Sequence, residues 1–215
     1  MTVSFAARLR AFSIAACALA AWATAAVAQQ PSPQDQAILD SRYNALDQRL
    51  NPESKALDGK DPWTLSQHDA MTLANMANEY LKGGDFLAAY VLSKDASLAY
   101  ETQDGKERWP ADATYAQAQL AFARAYQQVF DKDKEFAFAE VRGFASDLNA
   151  GIETRIVHAY LNALGAPLPT AVRPAAVTEC KAAQKKLADF LAKAPATMPA
   201  NERAYYDKRL KTECK

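Results

Sequence analysis

The sequence has few of the side chains from which most enzyme and metal sites are built. It contains 2 histidines and 3 cysteines among 215 residues, and His68 and His158 are too far apart to form a local metal-binding pair. No H-E-x-x-H, C-x-x-C, glycine-rich phosphate loop or G-x-S-x-G motif occurs in it. We therefore expect a protein that is not an enzyme and that has no metal, no cofactor and no catalytic residues. Catalysis by scattered carboxylates is the alternative that the missing motifs leave open.

An excess of positive charge is also missing. The 25 Lys and Arg side chains equal the 25 Asp and Glu side chains in number, and Arg8 and Arg10 belong to the N-terminal leader described below. Proteins that bind nucleic acid neutralise its phosphates with surplus Lys and Arg, so we expect no nucleic-acid partner. Nor does any segment combine a basic face with a bulky apolar face, as a helix that lies on a membrane surface would.

Long apolar runs are confined to the first 28 residues. Arg8 and Arg10 precede an apolar run from Ala11 to Ala25, and Ala26-Val27-Ala28 matches the A-x-A cleavage signal of a signal peptide. The run is short and mostly alanine, whereas a membrane-spanning helix needs about 20 strongly apolar residues. The sequence therefore predicts a signal peptide over residues 1–28 and a mature chain from Gln29 with no integral membrane segment. We expect a soluble protein in the periplasm of a Gram-negative cell.

Cysteine is scarce, and the positions of the three cysteines bear on the compartment. Ile14-Ala15-Ala16-Cys17 resembles a lipobox, so a lipoprotein anchored at Cys17 is the alternative to a soluble exported chain. Cleavage after Ala28 would remove Cys17 and leave Cys180 and Cys214. An even count of cysteines in an exported protein indicates a disulfide.

The two remaining cysteines also fit a helical hairpin. Pro174 and Pro199 can each open a helix, and the turn between these helices falls near residues 195–197. Cys180 lies about sixteen residues before the centre of that turn and Cys214 about eighteen residues after it. Residues equidistant from the turn lie side by side in an antiparallel helix pair. We therefore predict that Cys180 and Cys214 form a disulfide at the open end of this hairpin.

Helical signals continue through the rest of the mature chain. Apolar residues recur at helical spacing, and Ser66 with Asp69 resembles a capping box for a helix that Gly83-Gly84 ends. Asn51-Pro52 is expected to end the first helix and to lead into a polar segment up to Asp61. The predicted helices cover residues 33–50, 66–82, 86–101, 113–130, 136–144, 152–164, 174–193 and 199–215.

One pair of these helices resembles a tetratricopeptide repeat (TPR). The residues that carry the resemblance are Leu73, Met76, Ala77, Tyr80, Gly84-Asp85-Phe86, Ala89 and Ala96. Tyr126 and Tyr160 lie in later helices and are 34 residues apart, which is the period of this family. A second unit matches less well around Tyr126, and a third offers only Tyr160. The resemblance covers about residues 70–165.

The helical pattern and the resemblance together imply an all-α fold of antiparallel helical hairpins. They predict a TPR-like α-solenoid that is followed by a disulfide-stapled helical hairpin. The chain divides into the signal peptide at residues 1–28, an N-terminal helix and loop at 29–65, TPR-like repeats at 66–168 and the C-terminal hairpin at 169–215. A non-repetitive helical bundle is the alternative for the repeat region.

The resemblance also implies a binding surface. In that family the first helix of each repeat lines a concave groove, and residues two positions from each tyrosine would project toward it. The candidate partner-binding residues chosen in this way are Asn78, Lys82, Arg124 and His158. This polar surface with cationic spots suits a peptide carboxylate or an acidic side chain. We therefore expect a non-enzymatic periplasmic scaffold or adaptor whose partner is an envelope protein or peptide.

A second hypothesis starts from the aromatic residues. Helices rich in alanine and aromatics could enclose a hydrophobic ligand such as a lipid or sterol. The expected lining is Phe86, Tyr90, Phe122, Phe136 and Phe138. Packing of the core explains the same residues, so co-purified lipid is the observation that would distinguish a carrier from a scaffold. Immunity to a secreted toxin is a third interpretation.

Overall fold

The computed structural model describes residues 31–215, and this part of the chain is all-helical, as predicted. The predicted signal peptide, its cleavage site and Cys17 lie outside the described residues. Between residues 31 and 215 there are nine α-helices and one short 3-10 helix, Pro62–Thr64. The α-helices are α1 (Pro33–Asp47), α2 (Pro52–Asp58), α3 (Gln67–Gly83), α4 (Phe86–Leu98), α5 (Ala113–Lys132), α6 (Lys134–Val141), α7 (Leu148–Gly165), α8 (Arg173–Leu191) and α9 (Ala200–Lys211).

Side-chain caps determine where the first seven helices begin. Each helix is preceded by a Ser, Asn or Asp whose side chain accepts a hydrogen bond from a backbone N–H of the first turn. These caps are Ser32, Asn51, Ser66, Asp85, Asp112, Asp133 and Asp147. The predicted capping box of Ser66 and Asp69 is confirmed. Gly84 ends α3 with a φ of 82°, a left-handed conformation that glycine adopts without strain.

The segment after α1 differs from the sequence-based expectation. A polar stretch was expected to follow Asn51-Pro52, but these two residues instead begin α2. Asn51 accepts a hydrogen bond from the backbone N–H of Ser54, and Pro52 occupies the first helical position, where its missing N–H costs nothing. The same dipeptide therefore ends one helix and starts the next. Leu57 packs into the core from this short helix.

Successive helices pack as neighbours, and α5 lies at the centre of the arrangement. The hairpin predicted at Gly83-Gly84 is formed by α3 and α4, while α5 contacts α3, α4 and α7. At the two ends, α1 packs on α6, and α8 and α9 pack on α7. Alanines allow the close approach around α5; those that are buried are Ala116, Ala118, Ala121, Ala123 and Ala125. The identity of these helices as TPR-like repeats stays a prediction.

The predicted disulfide is confirmed. Cys180 of α8 is bonded to Cys214, which follows the C-terminal end of α9, and their Cα atoms are 6.0 Å apart. Both side chains are buried, and α8 and α9 pack against each other. The bridge therefore joins the beginning of this hairpin to its end, across a sequence separation of 34 residues.

Reduction of the Cys180–Cys214 bond should lower the free energy of unfolding by about 2–4 kcal/mol, because the cross-link restricts the unfolded chain. Urea unfolding with and without reductant measures this change. Hydrogen exchange should show that α9 loses protection before the central helices do. Two titratable thiols in the native exported protein, or an unchanged unfolding midpoint, would contradict the prediction.

Candidate functional site

The main candidate site is a pocket that opens between α1, α4, α5, α6 and α7. Its volume is about 130 Å³. Its apolar wall is formed by Leu98, Phe122, Ala139, Phe144 and Ala159. Its polar wall includes Lys94, Glu101, Glu140, Arg155, His158 and Asn162. We call this space the central pocket. It combines a mostly apolar surface with a few convergent charges, which is the usual composition of a ligand site.

The helix directions give the central pocket two distinct ends. Tyr90 of α4 stacks on Tyr126 of α5, whereas Tyr100 after α4 contacts Tyr115 near the start of α5, so these helices are antiparallel. Electrostatic interactions join Glu153 to Asp131 and Tyr160 to Arg124. They show that α5 and α7 are antiparallel as well. Thus α4 and α7 run in the same direction on either side of α5.

An inner end and an outer end follow from this arrangement. Tyr90 and Arg155 lie at the inner end, at the level of Tyr126. Glu101 follows the C-terminal end of α4, on the far side of that helix from Tyr90, and lines the outer end. Asn162, two turns after Arg155 on α7, lies toward that same outer end.

Glu140 is the acid at the inner end. Its two carboxylate oxygens accept hydrogen bonds from the hydroxyl groups of Tyr43 and Tyr90, at 2.7 Å and 2.6 Å. The ammonium group of Lys94 lies 3.7 Å from the carboxylate. Burial raises the pKa of Glu140, but Lys94, Arg155 and the two tyrosines outweigh it and lower the pKa below its ordinary value. Glu140 is therefore a fixed negative charge that holds α1, α4 and α6 together.

Arg155 is the base at the same end, and its side chain interacts with the hydroxyl group of Tyr126. Its guanidinium lies beside Tyr126 and Tyr90 and feels the charge of Glu140, but it forms no ion pair with any residue between 31 and 215. Burial lowers the pKa of Arg155, while Tyr126, Tyr90 and Glu140 raise it, so that the net shift is upward. The side chain is therefore always charged. Because it lines the pocket, the donors that do not face Tyr126 can serve a ligand.

His158 follows Arg155 by one helical turn and also lines the central pocket. Burial lowers its pKa to about 4, with further contributions from Arg209 and Lys208. The imidazole is therefore neutral near pH 7. It can donate or accept one hydrogen bond, but it is not a cationic spot.

The four residues chosen from the sequence are separated by the fold. His158 lines the central pocket, whereas Asn78, Lys82 and Arg124 do not. The Asn78 amide donates to the backbone carbonyl of Ala74 on its own helix, and Lys82 is exposed in the last turn of α3. Binding of a partner by these residues stays a prediction.

Arg124 has a protein partner in α8. Its Nε and Nη2 atoms donate to the two carboxylate oxygens of Glu179, at 2.8 Å and 3.1 Å. About a third of each side chain is exposed. This bidentate pair uses the donors that a ligand carboxylate would need.

The aromatic residues proposed to enclose a lipid do not form one surface. Tyr90 and Phe122 line the central pocket. Phe136 is fully buried against Tyr90, so it belongs to the core. The remaining two pack elsewhere: Phe86 lies under the ammonium group of Lys132, and Phe138 contacts Phe130.

The sequence-based search did not select Lys94, Glu140 or Arg155. A usable signal was present, since Glu140 lies within the largely apolar α6 and Arg155 lies within the largely apolar α7, before Ile156 and Val157. A charge in an otherwise apolar helix must reach water, a partner or a ligand.

The residues from 31 onward contain no cluster of His, Cys, Asp and Glu side chains suited to a metal ion. No helix among them has the length and apolar character that crossing a membrane requires. Comparison of the chain with protein-family models, with curated proteins and with solved structures gives no match.

Proposed function

We propose that the protein is a non-enzymatic binding protein of the bacterial envelope that holds a carboxylate-bearing group of a peptide or protein in its central pocket. The observation that carries this proposal is Arg155. It is charged, it lines an open and largely apolar pocket, and no ion pair with a described residue neutralises it. An arginine fork in such surroundings favours a carboxylate, with which it can form two parallel hydrogen bonds.

The charges around Arg155 support an anionic ligand at the inner end. Lys94 and Glu140 form a pair that is largely buried, with 17% and 9% of their side chains exposed. This pair neutralises itself, and His158 adds no charge near pH 7 because of its lowered pKa. One positive charge therefore remains for the ligand at the inner end.

The size of the central pocket limits what can enter it. A space of about 130 Å³ is similar to an apolar cavity of about 150 Å³ that holds one benzene molecule. It accommodates one side chain with its carboxylate, and it is small for a whole sterol or a phospholipid. We therefore favour the C-terminal residue of a peptide, with an apolar side chain against Phe122 and Phe144.

The disulfide supports the compartment in this proposal. Structural disulfides form in oxidising environments such as the periplasm and are rare in the cytosol. The buried Cys180–Cys214 bond therefore agrees with an exported protein. Sequencing of the mature N-terminus tests the predicted start at Gln29 and the alternative lipidated Cys17.

Calorimetric titration with a short peptide that ends in phenylalanine tests the proposed ligand. The peptide with a free C-terminal carboxylate should bind, and the same peptide with a C-terminal amide should bind at least tenfold more weakly. Replacement of Arg155 by glutamine should cause a similar loss, because hydrogen bonds to charged groups contribute about 1.5–3 kcal/mol. Equal binding of acid and amide would contradict a carboxylate site.

Two further arginine variants locate the binding site. Arg49 forms an exposed bidentate pair with Asp85 far from the pocket wall, so Arg49→Gln is the matched control and should leave binding unchanged. Arg124→Gln tests the groove that was expected from the sequence. A loss of binding in Arg124→Gln with none in Arg155→Gln would move the site to that groove.

A hydrophobic ligand that carries a carboxylate is the second candidate. The apolar wall with Phe122, Phe144 and Leu98 favours it. Mass spectrometry of lipids extracted from the natively purified protein would reveal such a ligand. An affinity pull-down from envelope extract on the same sample would distinguish this carrier from a peptide-binding scaffold.

A further inference from the structure

A second pocket lies beside the loop that connects α4 to α5, and the proposed function does not use it. Its volume is about 280 Å³, and its lining includes Tyr100, Trp109, Tyr115, Glu101 and Glu107. We call this space the loop pocket. It differs from the central pocket because three aromatic rings and two carboxylates line it, without a basic side chain.

The ring of the buried Tyr100 packs against the rings of Trp109 and Tyr115 on the wall of the loop pocket. The ring of Tyr100 lies 5.4 Å from that of Trp109 at an interplanar angle of 88°, and 5.2 Å from that of Tyr115 at 52°. The Tyr100 hydroxyl donates a 2.7 Å hydrogen bond to Asp112, which increases the electron density of its ring. The face of an electron-rich ring attracts a cation.

The carboxylates are held together by the backbone. Glu101 and Glu107 face each other in an antiparallel β-bridge. Backbone hydrogen bonds flank this pair on both sides, from Arg108 N to Tyr100 O and from Thr102 N to Lys106 O, each at 2.8 Å. The pair is thus of the non-hydrogen-bonded type, whose side chains lie closest together. Both glutamates line the loop pocket, so a cation bound there would lie beside two carboxyl groups.

The basic residues of this loop are already engaged. Arg108 donates to the backbone carbonyls of Trp63 and Leu65 and lies 4.2 Å from the centre of the Trp109 ring. Lys106 pairs with Asp104. Neither Glu101 nor Glu107 forms an ion pair with a residue in the described part of the chain. The loop pocket therefore keeps an excess of negative charge beside its rings.

From these features we infer that the loop pocket binds a trimethylammonium group. Such a cation carries a diffuse charge and no N–H donors, so aromatic rings and carboxylates satisfy it without directed hydrogen bonds. A primary ammonium group could donate to the two carboxylates, but its compact charge is more strongly hydrated, so its transfer onto the aromatic rings costs more. The loop pocket shares Glu101 with the lining of the central pocket, but Arg155 does not line it.

Choline is the probe, and its uncharged isostere 3,3-dimethylbutan-1-ol is the control ligand. Titration of the mature protein, followed by calorimetry and by the fluorescence of Trp63 and Trp109, should show choline binding at least tenfold more tightly than the isostere. Ethanolamine should also bind more weakly. Equal binding of choline and the isostere, or no choline binding up to about 50 mM, which would place the Kd well above 1 mM, would overturn the inference.

Variants then assign the binding to the loop pocket. Glu107→Gln and Trp109→Leu should each weaken choline binding by about tenfold, the scale of a cation–π contact or a nearby charge. Glu53→Gln, at an exposed position in α2, is the matched control and should bind choline normally. Thermal unfolding checks that each variant is folded. Unchanged choline binding by folded Glu107→Gln and Trp109→Leu would refute the site.

Two more measurements test whether choline binding is independent of Arg155 and whether the bound cation belongs to a lipid. Arg155→Gln should bind choline as the unmodified protein does, so the two sites fail or succeed independently. Sedimentation with phosphatidylcholine vesicles and with phosphatidylglycerol vesicles tests whether the trimethylammonium group belongs to a lipid headgroup. Retention by phosphatidylcholine alone assigns a lipid source, and absence of retention with choline binding assigns a small soluble compound.

Discussion

Replacement of Glu140 by leucine should lower the free energy of unfolding by about 3–5 kcal/mol, the usual cost of removing one partner of a buried ion pair. The variant leaves Lys94 without its carboxylate and deprives the hydroxyl groups of Tyr43 and Tyr90 of their acceptor. Arg155 also interacts electrostatically with Glu140, and the variant would remove this favourable interaction. Urea unfolding at pH 7 measures the change.

Glu179→Leu is the matched control for this prediction. It also removes a glutamate from an arginine pair, but about a third of each side chain in the Arg124–Glu179 pair is exposed. Pairs of that kind contribute about 0–1 kcal/mol. Losses of equal size in Glu140→Leu and Glu179→Leu would show that Glu140 is not the buried anchor that its contacts indicate.

The pH dependence of the Glu140 effect has a definite sign. The pKa of Glu140 lies below its ordinary value of 4.5 in the folded protein, so the carboxylate stabilises the fold above that pH. As the pH falls through the lowered pKa, the folded and unfolded states bind the proton equally and this contribution is lost. The difference between the unmodified protein and Glu140→Leu should therefore shrink in acid.

Local sequence signals predicted the helices and the disulfide because these features depend on neighbouring residues. Ser66 and Asp69 define a helix start wherever they occur together, and the distances of Cys180 and Cys214 from one turn determine their pairing. The same signals were ambiguous at Asn51-Pro52, which can both end and begin a helix. A local pattern cannot decide which of these it does.

The central pocket was harder to predict because its charges meet through tertiary packing. Glu140 is brought to Tyr43 and Tyr90 across separations of 97 and 50 residues. Arg124 and Arg155 are each a basic residue in a largely apolar helix, yet only Arg124 meets a carboxylate, that of Glu179, at hydrogen-bond distance. Arg124 has a partner because α8 places Glu179 beside it. The residue pattern within α5 or α7 does not reveal this contact.

Replacement of Glu153 by glutamine should stabilise the protein by about 3 kcal/mol at pH 8 and by almost nothing at pH 4.5. Glu153 lies on α7 and is completely buried, and neither of its carboxylate oxygens has a hydrogen-bond partner among the described residues. Burial raises its pKa from 4.5 to about 7, with Lys186 opposing the rise and Asp131 adding to it. Each unit of this difference corresponds to about 1.4 kcal/mol.

The direction of this pH dependence follows from which state, folded or unfolded, keeps the proton on Glu153. Between pH 4.5 and about 7 the folded protein keeps the proton on Glu153, while the unfolded chain has released it. A rising pH therefore favours the unfolded state over this range, and the loss is complete once the folded state also ionises. Glutamine cannot ionise, so the variant should lack this part of the pH dependence.

Urea unfolding of both proteins across this pH range tests the prediction, with Glu79→Gln as the control. Glu79 is exposed on α3, so its replacement should change the free energy of unfolding by less than about 0.5 kcal/mol at any pH. Glu153→Met distinguishes charge from polarity, because it also removes the amide that glutamine would bury without a partner. Parallel pH curves for the unmodified protein and both Glu153 variants would show that this carboxyl group ionises freely in the folded state, through a partner or water that satisfies its oxygens.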